Sequence, residues 1–454
     1  MNLEKFIYKK ISMWILLLTI LISILFSIFF GSLVLRSNSA KSIARIPDNI
    51  KQLFIKSDDD FIRGDKNSFS NKSGLIKNSN FRNSSKGYIL LSKYDHDERR
   101  SYVELINIEN GKIIHNWKPD FKKINTLSNL PKNFINVERD NSLNRYRMFH
   151  PYLDSDGSLI THSESPLIKI NLCSKLEWHV DGGFHHSNER GHEGNFWVPS
   201  WSFPVKTKGV NLDINENDIS KNMNFFHDDE LVKLSSDGNV LFRKTIISIF
   251  KENNMENLIF PIGQNKDPLH LNDIQPVLTN TDYWKKGDVF VSLRNISMVF
   301  LYRPSENKVL WHRQGPWVFQ HDVDIISNSK ISIFDNNLDN FTKSSVDGAS
   351  SIVIYDFKKN VVSRPYDKAF LKNDIHTITG GLHTILENDD VFVEATDSGR
   401  LVRIDKKGNI IWEYINRASN KKIYLLNWSR YYNSLDENLL KKIKNKNCDK
   451  LIKK

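Results

Sequence analysis

Two hydrophobic patterns divide this chain. From Ile11 to Leu35, about 25 uncharged and mostly apolar residues follow one another without a polar stripe. As a helix such a run is long enough to cross ~30 Å of hydrocarbon. From Lys86 onward the pattern changes to short β-like runs, each closed by a turn signal and followed by a strand that often carries Trp. The turn-plus-strand units are Asn110-Gly111 to Trp117, Ser174 to Trp178, Asp237-Gly238 to Phe242, Glu306 to Trp311, Lys358 to Val362 and Lys407-Gly408 to Trp412. Their starts are 64, 63, 69, 52 and 49 residues apart. A plain propeller blade takes ~40–50 residues, so the first three intervals must hold insertions. Candidates are 118–147, the Trp-rich 195–220 and 251–267. The pattern predicts an all-β protein, a six-bladed β-propeller with an N-terminal transmembrane helix. Two β-sandwiches would account for six similar hairpins less economically.

The expected organisation is a cytoplasmic tail and anchor over 1–36, a polar tether over 37–85, the propeller over 86–415 and a basic strap or tail over 416–454. Composition supports a folded body, since 39% of the 454 residues are hydrophobic and 26% charged, which excludes wholesale disorder. The net charge of +11 suggests nucleic acid until it is divided along the chain. Residues 1–80 net +6 and 416–454 net +8, which leaves 81–415 at −3. Positive ends beside an apolar anchor suit anionic lipid head groups. No basic stripe with interleaved aromatics is present, and nucleic acid is not expected as a partner.

A cleavable signal peptide has a shorter apolar stretch and a small-residue cleavage site, so an uncleaved anchor is expected. Lys5, Lys9 and Lys10 on one flank nearly balance Arg36, Lys41 and Arg45 on the other. The short N-terminal tail is taken as the cytoplasmic end. This makes a single-pass membrane protein whose main domain lies on the periplasmic or extracellular side. Cys173 and Cys448 are the two cysteines; they exclude a disulfide framework, and no pairing follows from the sequence.

Histidine carries the candidate chemistry. His185-His186, His227, His270, His321 and His376 recur at steps of 41, 43, 51 and 55 counted from His186, about one blade each. The first strand of each blade lines the channel, so equivalent positions converge at one mouth. Hydrogen bonding between blades is the plainer use of any one of these rings. His270 and Asn272 read as i and i+2 on a strand, sharing a face. Arg294 reads as lying inside a core strand, where it needs an anion or a carboxylate, with Asp273 or Asp324 as the simplest partner. Trp197, Trp201 and Trp317 are candidate walls for an aromatic ring.

His270-x-Asn272, Ser292-Leu-Arg294, Gln320-His321 and Phe334-Asp335-Asn336, with His185-His186 upstream, resemble the arylsulfate sulfotransferases (arylsulfotransferase family), which are six-bladed propellers. The similarity covers roughly 86–415. It implies sulfuryl transfer from a phenolic sulfate ester to a phenol, with no nucleotide donor and no cofactor. It places His321 as the transiently sulfated nucleophile, and Arg294, His270 and Asn272 around the sulfuryl oxygens. His186, with His185 beside it, matches a further channel histidine. Two other functions fit the same pattern, a non-catalytic tethered propeller and a metal-dependent hydrolase. The second is weakened because adjacent His185 and His186 face opposite ways on a strand, and no metal site is expected.

Overall fold

The computed structural model describes residues 13–36, 68–82, 85–130, 137, 141–202, 228–259, 267–339, 345–446 and 448. His227, much of the 195–220 insertion and most of the expected tether lie outside them. Two compact units are present, 1–60 and 61–454. In the first, Met13–Arg36 is a helix, and its described side chains, such as Trp14, Leu17, Leu21, Phe26 and Phe29, are exposed. Among the described residues no helix is long and apolar enough to cross a membrane.

The second unit contains six antiparallel sheets, the blades of a propeller. Their outer hairpins are the six repeats seen in the sequence. Each hairpin turn holds one residue in the left-handed region: Gly111, Ser174, Gly238, Asn307, Asn360 and Gly408. That backbone requirement is why the turns are led by Gly and Asn. In five blades a register shift follows at the same place, at Leu105/Ile106, Lys169/Ile170, Lys233/Leu234, Leu301/Tyr302 and Arg403/Ile404. Middle strands such as Val289–Leu293 and Val391–Ala395 are buried throughout. Outer strands such as Leu176–Val180 and Lys308–Gln314 alternate between half-buried and exposed. Blades packed face to face bury both sides of their inner strands, while the rim stays wet.

The ring closes at two places. Gly74–Lys77 adds a fifth strand outside Ile410–Ile415 of blade six. Arg430–Tyr432 supplies the innermost strand of blade one, beside Tyr88–Asp95. The propeller therefore uses a segment from the span expected as tether and one from the span expected as strap or tail. Neither carried a recognisable hairpin, because a closing strand finds its partner at the other end of the chain.

Beyond the closing strand, Glu437–Lys444 is a helix capped by the Asp436 carboxylate, which accepts Asn438 N–H and Leu439 N–H. Its Leu439 and Ile443 enter the core shared by blades one and two. Cys448 then pairs with Cys173 in the outer hairpin turn of blade two. This clasp follows from two docked apolar residues that bring distant thiols together. Cys448→Ser is expected to lower unfolding stability by about 2–4 kcal/mol, measured by denaturant titration under non-reducing conditions. An unchanged midpoint would show that the helix alone holds the clasp.

Candidate active site

The channel mouth is built from one unusual residue per blade. His150, His186, His270, Phe319, Gly380 and Trp428, at the inner edges of blades two, three, four, five, six and one, all have positive φ, between 36° and 66°. For side chains other than glycine this conformation is strained and clusters at functional sites. Contacts from one blade to the next impose it. Asp229 accepts Leu271 N–H just after His270, at 2.8 Å. Glu394 accepts Trp428 N–H and Ser429 N–H at 2.7 and 2.6 Å. The Asn427 carbonyl accepts His150 N–H, and His150 Nδ1 accepts Asn188 N–H at 3.2 Å.

His186, His270 and His321 meet at this mouth. The His186 ring centre lies 4.9 Å from that of His270 and 6.0 Å from that of His321. Trp428 stands beside them, 6.0 Å from His186 and 6.1 Å from His321. His321 is buried, and its Nδ1 is 2.6 Å from Asn336 Oδ1. The Asn336 amide nitrogen donates to the carbonyls of Thr377 and Gly380, so its oxygen faces the imidazole. Nδ1 therefore carries the proton and Nε2 the lone pair. That lone pair accepts Gly380 N–H at 3.1 Å. Burial, followed by the nearby Arg294 guanidinium, holds His321 well below the usual imidazole range. The ring is neutral at pH 7.

The motif residues around His321 position it. Gln320 donates to Ser292 Oγ and to the carbonyls of Leu293 and Met298. Ser292 Oγ donates to the His321 carbonyl at 2.9 Å, and Asn272 donates to the Gln320 carbonyl at 2.8 Å. His270 Nδ1 pairs with Asp267, which leaves Nε2 on the other side of the ring. His185 hydrogen-bonds His186 through Nδ1 at 2.9 Å, and its ring stacks on Trp201 at 5.0 Å.

Several expectations need correcting. His270 precedes the strand Leu271–Pro276, and Asn272 sits in a register shift between Leu271 and Asp273, so the two are not i and i+2 of a regular strand. Arg294 lies in the turn after Val289–Leu293, not inside it. Its guanidinium lies over the Phe319 ring at 4.7 Å and hydrogen-bonds Asn295. Its carboxylate influences come from Asp267 and Asp397, not from Asp273 or Asp324. Trp197 and Trp317 are core residues, which leaves Trp201 as the tryptophan of that trio next to a channel histidine. His376 pairs with Asp374 on a half-exposed loop, and Gly380 takes the mouth position of its blade.

A model of the family described as "Arylsulfotransferase (ASST)" matches residues 150–417, from the mouth histidine of blade two to just past the last strand of blade six. The chain belongs to the arylsulfotransferase family. No curated protein matches the sequence. Among solved structures, a protein of unknown function from Bacteroides caccae is 12% identical, covering 76% of this chain and 98% of its own, with a TM-score of 0.46. Virginiamycin B lyase from Staphylococcus aureus is 12% identical over 59% of this chain and 70% of its own, at 0.33. The Neurospora crassa Pan2 WD40 domain is 8% identical over 79% and 93%, at 0.39.

Two further histidines of the family-matched region went unseen in the sequence. The His150 ring lies 5.3 Å from Trp428, and His162 is wholly buried. Burial lowers His162 from 6.5 to about 3. Below pH 6.5 the unfolded ring takes up a proton that the folded one refuses, so this contribution to stability is full above 6.5 and falls with acidification. The slope is about 1.4 kcal/mol per pH unit. His162→Leu is expected to gain about 2 kcal/mol on wild type between pH 7 and pH 5, read from urea titrations at each pH. A constant difference would mean that the ring accepts a proton in the fold.

Proposed function

We propose that this protein transfers a sulfuryl group from a phenolic sulfate ester to a phenolic acceptor through a sulfo-histidine on His321. The observation that carries the reading is the Asn336–His321 pair, which leaves a neutral, buried imidazole with its Nε2 lone pair at the channel mouth. A neutral imidazole is a competent nucleophile and, once sulfated, a competent leaving group. The Nε2 lone pair attacks sulfur, the N–S bond forms, and the S–O bond to the aryl group breaks with its electrons leaving on the phenolate. The acceptor phenol then loses its proton, its oxygen attacks the same sulfur, and the N–S bond returns its electrons to Nε2.

Negative charge on the peripheral oxygens and the departing oxygen must be met as the group moves. Arg294 provides a full positive charge near His321. The Gly380 amide, displaced from Nε2 by sulfur, becomes a free donor at the same place. His270, held by Asp267 at Nδ1, handles the proton of the departing and incoming phenols at Nε2, and His186 stands 4.9 Å from it, ring centre to ring centre. Asn272 and His185 support the mouth, Asn272 by holding the Gln320 carbonyl and His185 by holding His186.

We place the catalytic unit outside the cytoplasm on an N-terminal membrane anchor. The uncharged, mostly apolar sequence run from Ile11 to Leu35 supports the anchor. The Cys173–Cys448 pair supports an oxidising compartment.

Brief exposure of the purified protein to an aryl sulfate is expected to add ~80 Da, one SO3 on the nucleophile, mapped to His321 by peptide mass spectrometry. His321→Ala is expected to lose both the adduct and phenol release. Turnover retained in His321→Ala would remove His321 as the nucleophile. A folded wild type inert toward every aryl sulfate would favour a ligand-binding propeller instead. Because the folded pKa of His321 lies well below 6.5, the ring stays unprotonated as pH falls through 6.5. The acid limb of kcat/KM is therefore expected below pH 6.5, and a limb at or above that value would contradict the buried neutral ring.

A further inference from the structure

The cation at the mouth is matched by carboxylates that stand just behind the donor groups. Arg294 is the permanent cation that bears most on His321. Asp267 and Asp397 both bear on its guanidinium. Asp397 lies in the turn between Val391–Ala395 and Arg400–Ile404 of blade six. Its Oδ2 accepts Thr379 N–H at 2.7 Å and Ile378 N–H at 3.2 Å, and its Oδ1 accepts the Thr379 hydroxyl at 2.8 Å. The next amide along, Gly380 N–H, meets His321 Nε2 at 3.1 Å. Three hydrogen bonds therefore fix the Asp397 carboxylate one residue from the donor that faces the nucleophile.

Asp267 approaches from blade four. Its carboxylate pairs with His270 Nδ1, and its backbone carbonyl accepts Asn295 Nδ2–H at 2.6 Å. The oxygen of that same Asn295 side chain accepts Arg294 at 2.9 Å. Counted by charge, Asp397 cancels Arg294. The Asp267–His270 pair sums to zero with the histidine protonated and to −1 without its proton. His186 and His321 add nothing positive, since burial holds both well below the usual imidazole range. These groups together carry no net positive charge.

Attraction to a site grows in proportion to the charge of a ligand, whereas the cost of stripping its water grows with the square of that charge. A strongly positive site repays the second term and favours a dianion. Where the positive potential is cancelled, desolvation decides, and one negative charge is favoured over two. A sulfate monoester carries one at neutral pH, and a phosphate monoester of the same tetrahedral shape carries close to two. We propose that Asp397, with the Asp267–His270 pair opposite it, is a specificity-determining residue that restricts this mouth to singly charged esters and so refuses aryl phosphates. The inference takes its substrate from the sulfuryl-transfer reading but concerns binding alone.

The test titrates two ligands that cannot transfer their head groups, benzylsulfonate and benzylphosphonate, into the full chain in a calorimeter. The sulfonate keeps one charge throughout, while the phosphonate passes from two charges to one as pH falls from about 8.5 to about 5.5. Wild type is expected to bind the sulfonate about tenfold more tightly at the higher pH, and the two ligands to converge at the lower. Asp229, which faces Asp267 and His270 and which burial raises to about 8, titrates in the same range; the sulfonate, with its fixed charge, reports that contribution. Asp397→Asn raises the site potential by one charge, which helps a dianion twice as much as a monoanion, so the gap is expected to narrow several-fold. Thr379→Val keeps the charge and loses one hydrogen bond to it, and is expected to leave the gap unchanged; a merely structural role would weaken both ligands alike. Wild type that binds the phosphonate dianion as tightly as the sulfonate, wild type that binds neither, or an Asp397→Asn protein with the same gap would overturn the proposal. Aryl-sulfate turnover with a His321 adduct beside such a result would leave sulfuryl transfer standing and remove the charge selection alone. Charge selection in a protein inert toward aryl sulfates would do the reverse.

Discussion

Every blade of this propeller borrows hydrogen-bond partners from its neighbour, and the channel depends on that exchange. Asp229 of blade three holds Leu271 N–H of blade four, Asp273 holds Val323 N–H of blade five, and Asp322 holds His383 N–H of blade six. Glu394 then caps Trp428 and Ser429 at the start of blade one, Asn427 meets His150 of blade two, and His150 meets Asn188 of blade three. A buried amide left without a partner costs a substantial fraction of a domain's stability. The ring therefore closes with each inner strand at a set height relative to the next.

That exchange also shapes the chemistry. Amides held by the preceding blade accompany left-handed residues at the mouth, among them His186, His270 and Phe319, and the rings of His186, His270 and His321 converge there. Burial there holds the His186 and His321 imidazoles well below their ordinary range. Asp273 and Asp322 hold backbone amides of the next blade, and burial raises Asp273, Asp324 and Glu189 above the ordinary carboxylate range. One channel thus holds a neutral nucleophilic mouth next to a guanidinium, and an acidic floor.

The outer hairpins were legible because a left-handed turn admits few residues and a half-exposed strand alternates. His186, His270 and His321 were legible because their spacing follows the blade. His150, His162 and Trp428 were not. His150 falls inside an irregular strand, where Phe149 to Tyr152 shifts register, and Trp428 belongs to a closing segment with no local pattern. The partners of Arg294 were misread because a turn residue after a buried strand looks, in one dimension, like the strand's last member.

By itself the sequence determined the local currency of this protein: an apolar helix, six hairpins with their turns, and imidazoles repeating at about one blade. Those properties depend on neighbours within a few residues, so the chain states them directly. The tertiary structure decided which distant segments close the ring, that Cys173 meets Cys448 across 275 residues, which nitrogen of His321 keeps its lone pair, and which carboxylates bear on Arg294. Each of those depends on contacts between blades, whose distances are set by radial packing and not by separation along the chain.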